Sequence, residues 1–229
     1  MNFSDLSIKE NNIVRVGIFA IAMAYLESAV VVYLRAMYGI KDLLHDINFQ
    51  PDSYTYIEIG REAATIIMLV LISLLAGNNR HKKIGYFFLS FGIWDIFYYI
   101  WLYVFIQWPK SLLEWDVLFL IPLPWWGPVI APILISILLI VIGYLLITET
   151  RFKITIFSWL VFIISNIIIL FTFMEDSIRI LLTGNGNLTE VRPTNFNWLL
   201  FLISFLVWIF ITFKVFYPDH KSPKHSRKA

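Results

Sequence analysis

The sequence predicts an all-α fold: a polytopic transmembrane helical bundle of about six spans, with an interfacial or re-entrant segment near 109–128. Three observations carry this. Hydrophobic residues make up 59% of the 229 positions and charged ones only 15%, against about 45–50% and about 25% in soluble domains. Six apolar runs each reach the ~20 residues needed to cross ~30 Å of hydrocarbon. The runs are unbroken, which points to helices and not to the alternating strands of a membrane barrel. This composition excludes a soluble enzyme, a nucleic-acid-binding domain and a disordered chain.

The first span is expected over 13–38. Residues 1–12 are polar and the run behind them carries Glu27, so it reads as a retained anchor and not as a cleaved signal. The others are expected over 56–76, 84–107, 129–148, 154–174 and 198–217. Short basic turns at 77–83 and 148–153 alternate with longer connections at 39–55, 108–128 and 175–197. Residues 1–217 thus read as a single transmembrane domain. Residues 218–229, with Pro218 and Pro223, read as a basic flexible tail.

The connection 108–128 is unusual. Trp108-Pro109 ends the third span, because Pro cannot continue the helical ladder. A second apolar stretch, 117–121, follows and is too short to cross and return. It is expected as an interfacial or re-entrant helix, with Ser111 as N-cap and Glu114 at the capping-box position. Trp125 and Trp126 suit the headgroup level. In the fifth connection, 184–187 is a turn signal and Asn187-Leu188-Thr189 is a glycosylation sequon.

Charge asymmetry sets orientation. One side receives Lys9, Arg15, Arg80, Lys82, Lys83, Arg151, Lys153, Lys214, Lys221, Lys224, Arg227 and Lys228. The other receives Arg35, Lys41, Lys110, Arg179 and Arg192, which is 12 against 5, with Arg61 left inside the membrane. Both termini are therefore expected in the cytoplasm, in a multi-pass protein of the plasma membrane.

The ionisable residues within the spans are concentrated in the first three. Glu27 and Arg35 lie in the first, Glu58, Arg61 and Glu62 in the second, Asp95 in the third. A charge at the bilayer centre costs roughly 2.5–3.5 kcal/mol on insertion scales, so these groups are expected to face each other or water. Glu58, Arg61, Glu62 and Thr65 form one helical stripe, and Gly17, Ala20, Ala24, Glu27, Ser28, Val31 and Arg35 another. The small residues of the second stripe, and Gly60 with Ala64, suit close helix approach. Phe88, Phe91, Asp95, Tyr98 and Tyr99 share a face of the third span, where phenol hydroxyls can donate to a carboxylate. The candidate substrate- or ion-binding residues are thus Glu27, Arg35, Glu58, Arg61, Glu62, Asp95, Tyr98 and Tyr99. They are expected in a pocket roofed by 109–128.

A plainer account of the same residues is a set of buried pairs, Arg61 with Glu58 or Glu62 and Arg35 with Glu27, that fixes helix register. The four Trp residues at 94, 101, 108 and 115 read as packing or lipid-facing aromatics. Glu27, Glu62 and Asp95 could ligate a hard cation, but Arg61 competes with it and favours an anionic group, so no metal site is assigned. A carboxylic acid at mid-membrane also suits a proton relay.

The chain has no Cys, and His45, His81, His220 and His225 lie outside the long apolar runs. Paired-His haem, a Glu-x-x-His diiron centre and a membrane-buried Ser-His-Asp triad are therefore excluded. No hydrolase, zincin, P-loop or dinucleotide signature is present. No catalytic set and no cofactor is assigned. The leading expectation is a small transporter or ion/proton-conducting protein with a carboxylate/arginine site open to the extracytoplasmic side. The alternatives are a membrane-embedded enzyme acting on a lipid or amphiphile, and an accessory subunit of a membrane complex. The expected partners are the lipid bilayer and either a second copy or a larger membrane complex, and no nucleic acid.

Overall fold

The computed structural model describes residues 3–40, 43, 53–149, 152, 155–183, 193 and 195–216. Six long helices follow one another: α1 (Phe3–Tyr38), α2 (Ser53–Ala76), α3 (Arg80–Ile106), α4 (Ile130–Thr148), α5 (Ile156–Thr183) and α6 (Trp198–Phe216). Two short strands, β1 (Trp115–Val117) and β2 (Trp126–Pro128), lie between α3 and α4. All six helices are long and apolar enough to cross a membrane. Large apolar side chains such as Leu26, Tyr33, Leu75, Leu182 and Leu199 are exposed on them. Water does not tolerate that much apolar surface, and lipid does. The chain is a multi-pass membrane protein.

Helix α3 is the centre of the packing, with α1, α2 and α4 all resting on it, while α6 pairs with α5 and touches α4. The α3–α4 seam is close because glycines line it. A Cβ at Gly92 would meet the Ser136 carbonyl oxygen at 2.5 Å, and one at Gly143 would meet the Gly85 carbonyl at 2.6 Å. Along the α1–α3 seam Ala20 and Ala24 are fully buried. Trp101 Nε1 donates to the Ile21 carbonyl (3.2 Å) and Ser28 Oγ to the Tyr98 carbonyl (2.9 Å). The α4–α6 side is filled by Ile169, Phe173, Phe201 and Trp208.

The helix ends follow local chemistry. Asn79 caps α3, its side chain accepting from the Lys82 N–H at 2.9 Å. Gln107 closes the same helix in the left-handed region (φ 53°), and Pro109 prevents continuation. Helix α5 runs nine residues beyond the apolar stretch expected to end at 174. Glu175 and Asp176 both pair with Arg179 across one turn, which carries the helix into what the sequence assigned to a connection. The small-residue pair on α2 does not serve a helix contact among the described residues. Gly60 and Ala64 are exposed, and nothing lies within 4 Å of a Cβ at Gly60.

Residues 108–128 are not the expected helix. Strands β1 and β2 pair antiparallel, with Trp115 opposite Pro128, Asp116 opposite Gly127 and Val117 opposite Trp126. Leu118 and Trp125 extend the ladder, the Leu118 N–H donating to the Trp125 carbonyl at 2.8 Å. Ser111 starts a turn instead of capping a helix, its Oγ accepting from the Leu113 N–H, and Glu114 accepts from the Lys110 N–H. Pro122 and Pro124 fit the bend between the two strands. The hairpin leans on α5, where Ser177 Oγ donates to the Pro124 carbonyl (2.7 Å). Gly127 lies so close to Phe173 that a Cβ would meet the ring at 2.6 Å.

The tail 218–229, the histidines at 45, 220 and 225, the turn 184–187 and the sequon at Asn187 lie outside the described residues.

Candidate functional site

A cavity of about 340 Å³ lies among α1, α2, α3 and the hairpin. It runs from Glu27, Thr65 and Trp94 at mid-helix to Tyr38, Ile40, Leu43 and Tyr54 at the helix ends. Glu27 lies ~16 Å along α1 from Tyr38, at ~1.5 Å per residue. All eight residues singled out from the sequence line this one cavity: Glu27, Arg35, Glu58, Arg61, Glu62, Asp95, Tyr98 and Tyr99. The hairpin forms its roof through Asp116, Val117, Leu118, Phe119 and Leu120.

Arg61 is the inner cation. It pairs with Glu27 across the α1–α2 interface and with Glu58 one turn back on its own helix, where Nε donates to Glu58 Oε2 at 2.9 Å. Glu62, its neighbour in sequence, is not its ion-pair partner, because adjacent positions on a helix point about 100° apart. Thr65 donates to Glu27 from one turn further along α2. The Glu58/Arg61/Thr65 stripe therefore delivers its cation and its hydroxyl to the carboxylate of α1.

Arg35 is the outer cation. It does not pair with Glu27, which lies eight residues back on the same helix, ~12 Å along the axis. Its guanidinium approaches Asp116 of β1 at 3.7 Å and lies over the Trp108 ring at 4.0 Å. Tyr99 donates to the same carboxylate at 3.1 Å. Asp116 is 2% exposed. Burial pushes its carboxyl up to about 6, while Arg35, the Tyr99 hydroxyl and the Val117 N–H hold it from rising further.

Two further carboxylates have only neutral donors. Glu62 accepts from the Leu120 N–H of the hairpin, 3.0 Å to each oxygen. Asp95 accepts from Ser136 Oγ of α4 at 2.8 Å. Neither has a cation within ion-pair distance among the described residues. Among the described residues, the cavity lining holds five acids, Glu27, Glu58, Glu62, Asp95 and Asp116, against two guanidiniums, Arg35 and Arg61.

This corrects one expectation about ligand chemistry. Arg61 does not present a spare positive charge to an anion, since two carboxylates already neutralise it. Among the described residues, the cavity lining carries more acids than bases. Among the described residues no group of three or more acidic or imidazole side chains converges as a metal site.

Sequence reasoning missed Asp116, Ser136 and the role of Trp94. Asp116 stood among other acids of a polar connection. Ser136 is a lone hydroxyl in the apolar run of α4, and it is 1% exposed. Trp94, read as a packing aromatic, also lines the cavity.

No protein-family model, curated protein or solved structure gave a significant match to this chain, so the functional reading rests on the site itself.

Proposed function

We propose that the chain is a small transporter of the plasma membrane. Its cavity opens to the extracytoplasmic side and holds a cation, either a proton or the positively charged group of a solute, at Glu62 and Asp95. The observation that carries this reading is the imbalance of charge. A set of buried pairs that only fixed helix register would balance acids with bases. Here Arg35 and Arg61 are taken by Asp116, Glu27 and Glu58. Among the described residues, the hydrogen bonds to Glu62 and Asp95 come from neutral donors only, and neither acid has a cation within ion-pair distance. A buried carboxylate without a cation is costly in a membrane, so each carries its charge only when a cation comes to it. Intramembrane acids of this kind mark ion and proton paths.

Access supports the same reading. The lining residues continue to the ends of α1 and α2, on the side that the Lys and Arg asymmetry assigns to the exterior. The roof is a hairpin bonded to Glu62 itself through the Leu120 N–H. A cation that takes Glu62 competes with that amide, which gives the site a movable cover next to its binding group.

The test is flux. In proteoliposomes with an imposed pH gradient and a trapped pH dye, the wild-type chain should carry protons or exchange them for solute. Glu62→Gln and Asp95→Asn should each lower that flux about tenfold or more, the effect of losing ~1.4 kcal/mol or more of interaction with a charged group. Equal flux from wild type, both variants and empty vesicles would overturn the proposal.

A further inference from the structure

A second cavity, of about 100 Å³, lies at the other end of the bundle from the mouth of the first. It is a groove between α3 and α5. Ile84 and Phe88 of α3 form one bank, and Trp159 and Phe162 of α5 form the other. Beneath them Ile142, Leu146, Ile211 and Val215 are buried. Ile84 and Trp159 are exposed, so the groove opens sideways, where the bilayer lies. Among the described residues, α3 and α5 do not pack on each other.

The described lining is apolar or aromatic apart from His81, Ser158 and Thr212, and it contains no acid. Both hydroxyls are spent locally: Ser158 Oγ on Thr155 Oγ1 at 2.9 Å, and Thr212 Oγ1 on the Trp208 carbonyl at 2.8 Å. Water in such a groove finds too few partners, so the occupant has a hydrocarbon body. The volume lies below the ~300–1,000 Å³ of small-molecule pockets and suits one narrow chain.

The groove ends among cations. His81, exposed at its rim, stands between Arg80 and Lys82 in the first turn of α3. Phe152 packs edge-on against the His81 ring at 5.0 Å and meets Phe216 of α6 at 5.4 Å, which closes the groove at this end. In the sequence Phe152 is flanked by Arg151 and Lys153. Among the described residues, Glu149 is the one acid at this end of α3 to α6. Cations beside an apolar crevice between helices select lipids with anionic heads. We propose that the groove binds an anionic phospholipid. One acyl chain lies between α3 and α5, and the phosphate sits at His81, Arg80 and Lys82. The lipid belongs to the leaflet that the Lys and Arg asymmetry assigns to the cytoplasm. Its chain fills the gap between the α3–α4 pair and the α5–α6 pair, at the end away from the hairpin that touches both. The proposal does not rest on transport.

The test is fluorescence quenching of the full chain in detergent by phospholipids with brominated acyl chains. Among the described residues, Trp159 is the one tryptophan that lines the groove. Phosphatidylglycerol should quench saturably at one lipid per chain, and Trp159→Phe, which keeps an aromatic ring in place, should remove most of that quenching. Phosphatidylcholine with the same chains should bind at least tenfold more weakly. The double variant Arg80→Gln/Lys82→Gln should weaken phosphatidylglycerol about tenfold and leave phosphatidylcholine unchanged. If that variant does not fold, the two lipids on the wild-type chain decide. Equal affinity for both lipids overturns the proposal. So does saturable quenching that survives unchanged in Trp159→Phe, or its absence from the wild type.

Discussion

Asp116 sits between Arg35 and Tyr99 with its carboxyl pushed up to about 6 by burial. In the unfolded chain an Asp titrates near 3.9. The folded state therefore holds the proton more tightly. The associated stability is fully present below about pH 4 and is lost as pH rises through about 6. Melting in detergent should fall across that window, and Asp116→Asn should flatten the fall. Identical pH profiles for variant and wild type would contradict the assignment. The other members of the site were legible because ionisable residues in apolar runs stand out: Glu27, Arg61, Glu62 and Asp95 carry an insertion cost that demands a partner. Asp116 carried no such signal, since an acid in a connection is ordinary. The pairings were not legible either. Arg35 with Asp116 and Arg61 with Glu27 join elements whose relative position no single helix periodicity encodes.

Among the elements, the α3–α4 seam and the hairpin matter most to the cavity. Gly92 lets the α4 backbone approach, and the same approach brings Ser136 to Asp95. Gly92→Ala should push α4 away and destabilise the protein by about 1–3 kcal/mol, as overpacking does. Gly60→Ala, on the open face of α2, should be neutral or stabilise by up to about 1 kcal/mol, since only helix propensity changes. Unfolding in mixed detergent and SDS compares the two, and equal effects would refute the close contact at the seam. The hairpin escaped sequence reading for a local reason. Each of its strands is only three residues long, too short for a period of two to register against the apolar residues around it. The extension of α5 escaped for the opposite reason: its last turns hold by ion pairs after the hydrophobic signal has ended.

For the whole molecule, the number of spans and their helical nature were readable, because ~20 apolar residues in a row leave lipid-crossing helices as the physical solution. The neighbour relations were not. The central place of α3 depends on Gly85, Gly92 and Gly143 meeting across two helices, and each alone is an ordinary membrane glycine. The orientation that the 12-against-5 distribution of Lys and Arg assigns has a direct check. A reporter fused after Ala229 should read cytoplasmic, and one inserted in 39–55 should read exterior. The opposite pair of signals would turn the cavity mouth inward.

The ion pairs inside the cavity also decide how the protein responds to salt. Dissolved ions screen exposed charges over ~30 Å at 0.01 M and ~3 Å at 1 M, but they reach a buried pair poorly. The Arg35–Asp116 side chains are 10% and 3% exposed, and Glu27 beside Arg61 is 5% exposed. These two pairs therefore bring their own counterions. Salt should therefore loosen the Arg35–Asp116 pair least, while the approach of a solute to the mouth varies with ionic strength.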